Sequence, residues 1–162
     1  MVEAYLSLGS NLGDRQGYLQ YAYRMIDKRI GVIMDKSSVY ESSPWGFTSD
    51  NFFYNQVLCV SCNVEADELL HLVQQIEREA GRERLLAGYA DRTLDIDILF
   101  YGDRVVTMPG LTIPHPHMTE RRFVLEPLCE LAPDFIHPVL KLPLHRLLEQ
   151  CKDSLSVRKL NA

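Results

Sequence analysis

The chain has 162 residues, a formal net charge of −5 and a pI near 5.5. That length predicts one domain over residues 1–162, with a core large enough to need no disulfide or metal staple. The acidic balance argues against general nucleic-acid binding through a basic face, and the lack of a leader or bilayer-length apolar run points to a cytoplasmic protein.

Residues 2–8 alternate, with Val2, Ala4, Leu6 and Leu8 on one face, and predict a strand that ends in the turn Gly9-Ser10-Asn11-Leu12-Gly13-Asp14. A helix over 15–30 follows from the stripe Leu19, Ala22, Tyr23, Ile26 and Ile30. Residues 32–40 return to strand composition, and 41–51, rich in turn formers and without a period, predict a long loop of the kind that often carries function. Residues 52–64 read as a strand and 65–80 as a helix burying Leu69, Leu70, Val73, Ile76 and Ala80. A glycine-marked loop dense in arginine then leads to an apolar strand over 94–100. Gly102-Asp103 can turn that strand into a short hairpin partner at 104–107, and 122–132 and 144–150 read as short helices. The order strand, helix, strand, strand, helix, strand predicts an α+β, ferredoxin-like antiparallel sheet built as a split βαβ. Its helices pack on one face, the other face is partly open, and short C-terminal helices are added.

Chemistry concentrates in Leu94-Asp95-Ile96-Asp97-Ile98-Leu99-Phe100. Alternation sends Leu94, Ile96, Ile98 and Phe100 to one side and both aspartates to the other, about 6.5–7 Å apart at Cα. That spacing suits two divalent cations about 3.5–4 Å apart clamping a phosphoryl group. The alternative is a strand end whose aspartates simply face water. Arg78, Arg82, Arg84 and Arg92 just upstream offer forked cations for polyphosphate oxygens, although the interleaved Glu77, Glu79, Glu83 and Asp91 also fit a salt-bridged surface. Phe53 and Asn55, on one side of their strand, could stack and read a flat heterocycle, or could be core and ladder end. Between Pro114 and Pro116, His115 suits hydrogen bonding to a ligand or to backbone better than metal, and His117 is assigned to the surface. The four cysteines fit reduced thiols; Cys59 and Cys62 have Cys-x-x-Cys spacing, but no second pair completes a zinc set.

Ser7-Leu8-Gly9-Ser10-Asn11-Leu12-Gly13, residues 44–55, Gly81-Arg82-Glu83-Arg84, Arg92-Thr93-Leu94-Asp95-Ile96-Asp97-Ile98-Leu99, and Pro114-His115 through Arg121-Arg122-Phe123 occur in this order. Together they resemble the 6-hydroxymethyl-7,8-dihydropterin pyrophosphokinases of folate biosynthesis over nearly the whole chain. The resemblance implies transfer of pyrophosphate from ATP, the co-substrate, to the pterin hydroxymethyl group, releasing AMP. It also implies two Mg²⁺ ions on Asp95 and Asp97, with Arg82 and Arg92 as catalytic residues. Phe53 and Phe123 would sandwich the pterin, Asn55 would read its edge, and the backbone around Ser42, Pro44 and Trp45 would close over it. ATP would lie beside Leu70, Gln74, Glu77, Arg84, Tyr89, Ile98, Thr112, His115 and Arg121. The expected partners are these small molecules alone, with no nucleic acid or membrane, and the expected state is a monomer.

The chain departs from the family pattern at Gly88, where a basic residue is usual, at Tyr89, where tryptophan is common, and at Asp91, in place of proline or a small residue. Phe53 stands where tyrosine is common. Two other classes share parts of the pattern. A ferredoxin-like RNA-binding module would carry more basic charge, and a two-metal phosphohydrolase would add carboxylate or histidine ligands.

Overall fold

A computed structural model describes residues 1–81 and 91–160. The first strand, β1 (Val2–Ser10), buries Ala4, Leu6 and Leu8 on one face and Tyr5 on the other. It runs two residues past the predicted end, through Gly9 and Ser10. The helix α1 (Arg15–Arg29) starts where Asp14 Oδ1 accepts from the Gly17 N–H at 3.0 Å, and its last turn carries Lys28 and Arg29 beside the exposed carbonyls. It lies with α2 (Ala66–Glu79) on the Ala4–Leu6–Leu8 face, where Leu19, Ala22, Ile26, Leu69, Val73 and Ile76 close one core.

The sheet is built outward from β1. On one side it pairs antiparallel with β4 (Phe53–Cys62) and on the other with β5 (Asp95–Tyr101). The far edge of β4 receives β2 (Gly31–Lys36) and β3 (Tyr40–Ser42), and β3 receives the C-terminal β8 (Val157–Lys159). This is the antiparallel α+β arrangement that the element order predicted. The second face is covered over much of its length by α3 (Arg122–Leu131) and α4 (Leu144–Gln150). Their Val124, Leu125, Leu128, Leu144 and Leu147 pack on Tyr5, Val57, Cys59 and Phe100. Among the described residues no helix is long and apolar enough to cross a membrane.

Three expectations are corrected. The strand predicted over 32–40 is broken at Ser37, which substitutes for a rung: the Val57 N–H donates to Ser37 Oγ at 2.9 Å, and the Ser37 N–H donates to the Val57 carbonyl at 2.9 Å. Beyond the break the chain rejoins β4 as β3, so Ser42 lies in a strand rather than in the long loop. The segment after Gly102 pairs with residues further on rather than with β5: β6 (Val106–Met108) and β7 (Leu111–Ile113) form their own two-stranded sheet. Finally, Leu99 is a bulge. Leu6 faces Ile98 and Tyr5 faces Phe100, which leaves Leu99 without an opposite residue. Alternation resets there, so Phe100 joins the α3 side while Leu94, Ile96 and Ile98 stay with α1 and α2.

Candidate active site

The site is assembled where one row of the sheet crosses β5, β1, β4 and β3: Asp95 lies opposite Gly9, Gly9 opposite Asn55, and Asn55 opposite Tyr40. Directly opposed residues share a face, so the carboxylate and the amide flank a position with no side chain. A Cβ on Gly9 would lie 3.5 Å from Phe53 Cδ1 and 3.6 Å from Asn55 Oδ1. A larger side chain would fill the floor. The nearly buried Asn55 amide donates to the Tyr40 carbonyl at 3.2 Å and to Ser42 Oγ at 2.7 Å, tying β3 to β4 beneath the site.

Above this floor is a narrow cleft of about 40 Å³ lined by Ser42, Trp45, Phe53, Arg92, Asp95, Arg121 and Phe123, residues that the sequence grouped, and by Ser43 and Phe47, which it did not. Pro44 is buried next to Trp45 without lining the cleft. Phe47 meets the Phe53 ring at right angles, 6.3 Å between centroids, and the Arg121 guanidinium lies over Trp45 at 4.6 Å and Phe123 at 5.8 Å. The only hint of Phe47 in the sequence was a second aromatic close to Trp45 in the loop. Nothing distinguished Gly9 from an ordinary turn glycine.

A second cavity of about 330 Å³ lies along the outer edge of β5. Leu70, Ile98, Thr112 and His115 line it together with Asp97, Met108 and Gly110. Glu77, almost fully buried on α2, accepts from the Ile96 N–H at 2.8 Å, directed away from β1. By the two-residue alternation of a strand, the Ile98 N–H and carbonyl also face that edge. Gln74 and Glu77 do not line this cavity, and Arg121 lines the cleft instead. Arg82, Arg84, Gly88 and Tyr89 lie outside the described residues.

Charge converges on the aspartates. Arg92 Nη1 lies 3.2 Å from Asp95 Oδ2, and Arg121 Nη1 lies 3.8 Å from Asp97 Oδ2. His115 Nε2 is 3.9 Å from Asp97 Oδ2, but this is not an ion pair. Burial first, then the charges of Arg121 and His117, push the His115 ring down to about 4. Neutral at pH 7, it accepts the His117 N–H on Nδ1 at 3.2 Å, so the proton sits on Nε2 and points at Asp97. His117 is exposed, as assigned, and meets Glu120 at 3.2 Å.

Among the described residues no group of three or more histidine, cysteine or acidic side chains could hold a metal. Cys59 and Cys62 enter opposite cores and cannot share an ion. Two carboxylates alone suit Mg²⁺, which takes one or two protein carboxylates and completes its shell with substrate phosphates and water. An aspartate pair facing guanidinium groups and an imidazole donor, beside an aromatic cleft, can neutralise and orient phosphate oxygens next to a planar ring.

These are the features of a phosphate-handling enzyme on a ferredoxin-like sheet. The model of the family described as 7,8-dihydro-6-hydroxymethylpterin-pyrophosphokinase (HPPK) matches residues 5–133, and the chain belongs to this family. A relative from Porphyromonas gingivalis, named 2-amino-4-hydroxy-6-hydroxymethyldihydropteridine pyrophosphokinase, is 43% identical over 146 residues, covering 88% of this chain and 99% of its own. One of the same name from Aquifex aeolicus is 39% identical over 144 residues, 89% of each chain. A folic acid synthesis protein from Pneumocystis carinii is 37% identical over 149 residues, 92% of this chain, and this chain spans only 20% of its length. In fold, a crystal structure of Plasmodium falciparum HPPK-DHPS matches 92% of this chain and 45% of that one, with a TM-score of 0.77 at 19% identity.

Proposed function

We propose that this pyrophosphokinase transfers the β,γ-pyrophosphoryl group of ATP to the hydroxymethyl oxygen of 6-hydroxymethyl-7,8-dihydropterin, releasing AMP, and that Asp95 and Asp97 stand where the two substrates meet. One observation carries the reading. Asp95 lines the aromatic cleft and Asp97 lines the cavity at the β5 edge, so two neighbouring binding spaces share one carboxylate pair. In this reading Phe53 and Phe123 stack the pterin and Asn55, with Ser42 and the backbone at Pro44 and Trp45, bounds its edge. Adenine lies against Leu70 and the Ile98 backbone near Gln74, Glu77 and Thr112. Arg84 and Tyr89 complete the ATP set, and Arg82 and Arg92 are the catalytic cations.

The pterin hydroxyl attacks the β-phosphorus and gives up its proton to water, the bond from that phosphorus to the α-phosphate oxygen breaks, and AMP leaves with the electron pair. Asp95 and Asp97 would hold two Mg²⁺ ions, which when bound neutralise phosphate oxygens and polarise the reacting phosphorus. Arg92 and Arg121 bring guanidinium charge to the same place, and the neutral His115 donates from Nε2 to a phosphate oxygen. No covalent nucleophile is required, because positioning and charge neutralisation supply most of such a barrier reduction. The same reading carries a single domain over 1–162 that acts as a cytoplasmic monomer.

The test is AMP formation from ATP with the hydroxymethyl pterin, Mg²⁺ or both omitted in turn. AMP that appears only when all are present supports the proposal. AMP made without pterin favours a phosphohydrolase, and retention of single-stranded RNA with no AMP favours an RNA module.

A further inference from the structure

Three chain segments meet beside the cleft through one polar ring. Asn11, in the turn after β1 and almost fully buried, uses its whole side chain. Its Nδ2 donates to the Asn51 carbonyl at 3.0 Å and to Asp91 Oδ1 at 2.7 Å, and its Oδ1 accepts from the Arg92 N–H at 2.7 Å. Its own N–H donates to the Arg92 carbonyl at 3.0 Å. Asn51 Nδ2 closes the ring on Asp91 Oδ2 at 2.9 Å. Asn51 ends the loop that carries Trp45 and Phe47, and Arg92 carries the guanidinium that meets Asp95.

We propose that Asp91 is a positioning residue, a clasp that fixes the end of the aromatic loop to the backbone of Arg92, so that the pterin-side loop and the catalytic guanidinium are set together. This deepens the pyrophosphokinase reading and rests on it. An ionised carboxylate is an acceptor on both oxygens, and here each oxygen meets one amide donor. Partial burial alone would raise the Asp91 carboxyl, but hydrogen bonds from Ser49, Asn51 and Asn11 and the Arg92 charge outweigh it and keep the group ionised. An asparagine at 91 would turn its own NH₂ toward one of those donors. A residue without a polar side chain would leave the Asn51 side chain without its partner, and Asn11 would then hold the loop through the Asn51 carbonyl alone.

The chemistry allows an exchange test. Asp91→Asn breaks one link, whereas Asp91→Asn combined with Asn51→Asp restores it: the amide at 91 then donates to the carboxylate at 51 and still accepts from Asn11 Nδ2. In the free protein, hydrogen exchange of residues 43–52 and of the Arg92 amide should quicken together by about tenfold in Asp91→Asn, and return to within about twofold in the double variant. In turnover, kcat/KM for the pterin should fall about tenfold and recover in the double variant, with KM for ATP held within about twofold. Asn51→Ala, at an exposed position, breaks the same link without disturbing Asn11 and should quicken Arg92 exchange alike if Asp91→Asn does not fold.

Unchanged Arg92 exchange in Asn51→Ala, or a double variant no better than the single ones, overturns the clasp. Wild-type protein that forms no AMP overturns the pyrophosphokinase reading instead, and the exchange measurements still decide the clasp.

Discussion

Asp95 and Asp97 differ in company although they share a face: the first meets Arg92 at the cleft, the second meets Arg121 and the neutral His115 at the outer cavity. In the proposed reading each carboxylate therefore faces a different substrate. Asp95→Asn or Asp97→Asn should lower kcat by at least about 100-fold, because each removes charge that in the proposed reading would hold cations against the reacting phosphates. Both side chains are partly exposed at the end of a strand, so the melting temperature should stay within a few degrees of wild type. Turnover and thermal melts on the same preparations check this, and near-normal turnover in both variants would remove the aspartates from the chemistry.

Among the strands, the break between β2 and β3 depends on one hydroxyl. Ser37→Ala leaves the buried Val57 N–H without its acceptor and should cost about 1–3 kcal/mol, read as a lower urea midpoint at unchanged slope. The turn before α4 carries a pH dependence. Burial holds the His137 ring below its usual 6.5, and its neutral Nδ1 accepts the N–H groups of Val139 at 3.2 Å and Leu140 at 3.0 Å. The unfolded chain takes up the proton first as pH falls. The stability contributed here is therefore complete above about 6.5 and is lost as the pH drops toward the folded value. His137→Asn caps the same turn without titrating, so its melting temperature should fall less between pH 7 and 5 than that of wild type. Equal slopes would show that His137 carries no linkage.

Periodicity found the two long helices, the two C-terminal helices and the aspartate strand, because each buries a regular stripe. It could not find the Ser37 break or β8, where pairing is decided by a hydroxyl or by a partner far along the chain.

For the molecule as a whole, the two faces of one sheet divide the labour. The α1–α2 side is closed core, while the α3–α4 side stops short of the row through Gly9 and leaves the site at the sheet's end. The Asp-x-Asp was legible because its spacing along one strand fixes which side chains share a face, as was the pairing of Phe53 with Asn55 on theirs, whereas Trp45 and Phe123 followed only from the family resemblance. The contacts of Asn11 with Asn51, Asp91 and Arg92 were not legible, since no local pattern marks residues brought together across tens of positions. The cleft, at about 40 Å³, is far smaller than the usual small-molecule site, so in the proposed reading the loop carrying Trp45 and Phe47 shifts when pterin enters. Trp45 is the only tryptophan. Its emission should shift or quench with Mg²⁺, a non-hydrolysable ATP analogue and pterin together, and change less with either ligand alone. Inner-filter and energy-transfer controls are required because pterin absorbs near the emission band. A spectrum unchanged at saturation would mean that pterin binds elsewhere.

The bulge at Leu99 has a consequence for insertions and deletions. Removing Leu99 alone would leave Asp95 and Asp97 on their present face and return Phe100 and Tyr101 to theirs by plain alternation, whereas removing Ile98 or Phe100 would keep the phase only by moving Leu99 into the place of the lost side chain. Leu99 also fills the second core, and its carbonyl accepts the His115 N–H at 3.1 Å. A chain lacking Leu99 should keep both aspartates on their face while loosening the histidine opposite Asp97, read as a fall in turnover beside a melting temperature lowered by the missing core side chain.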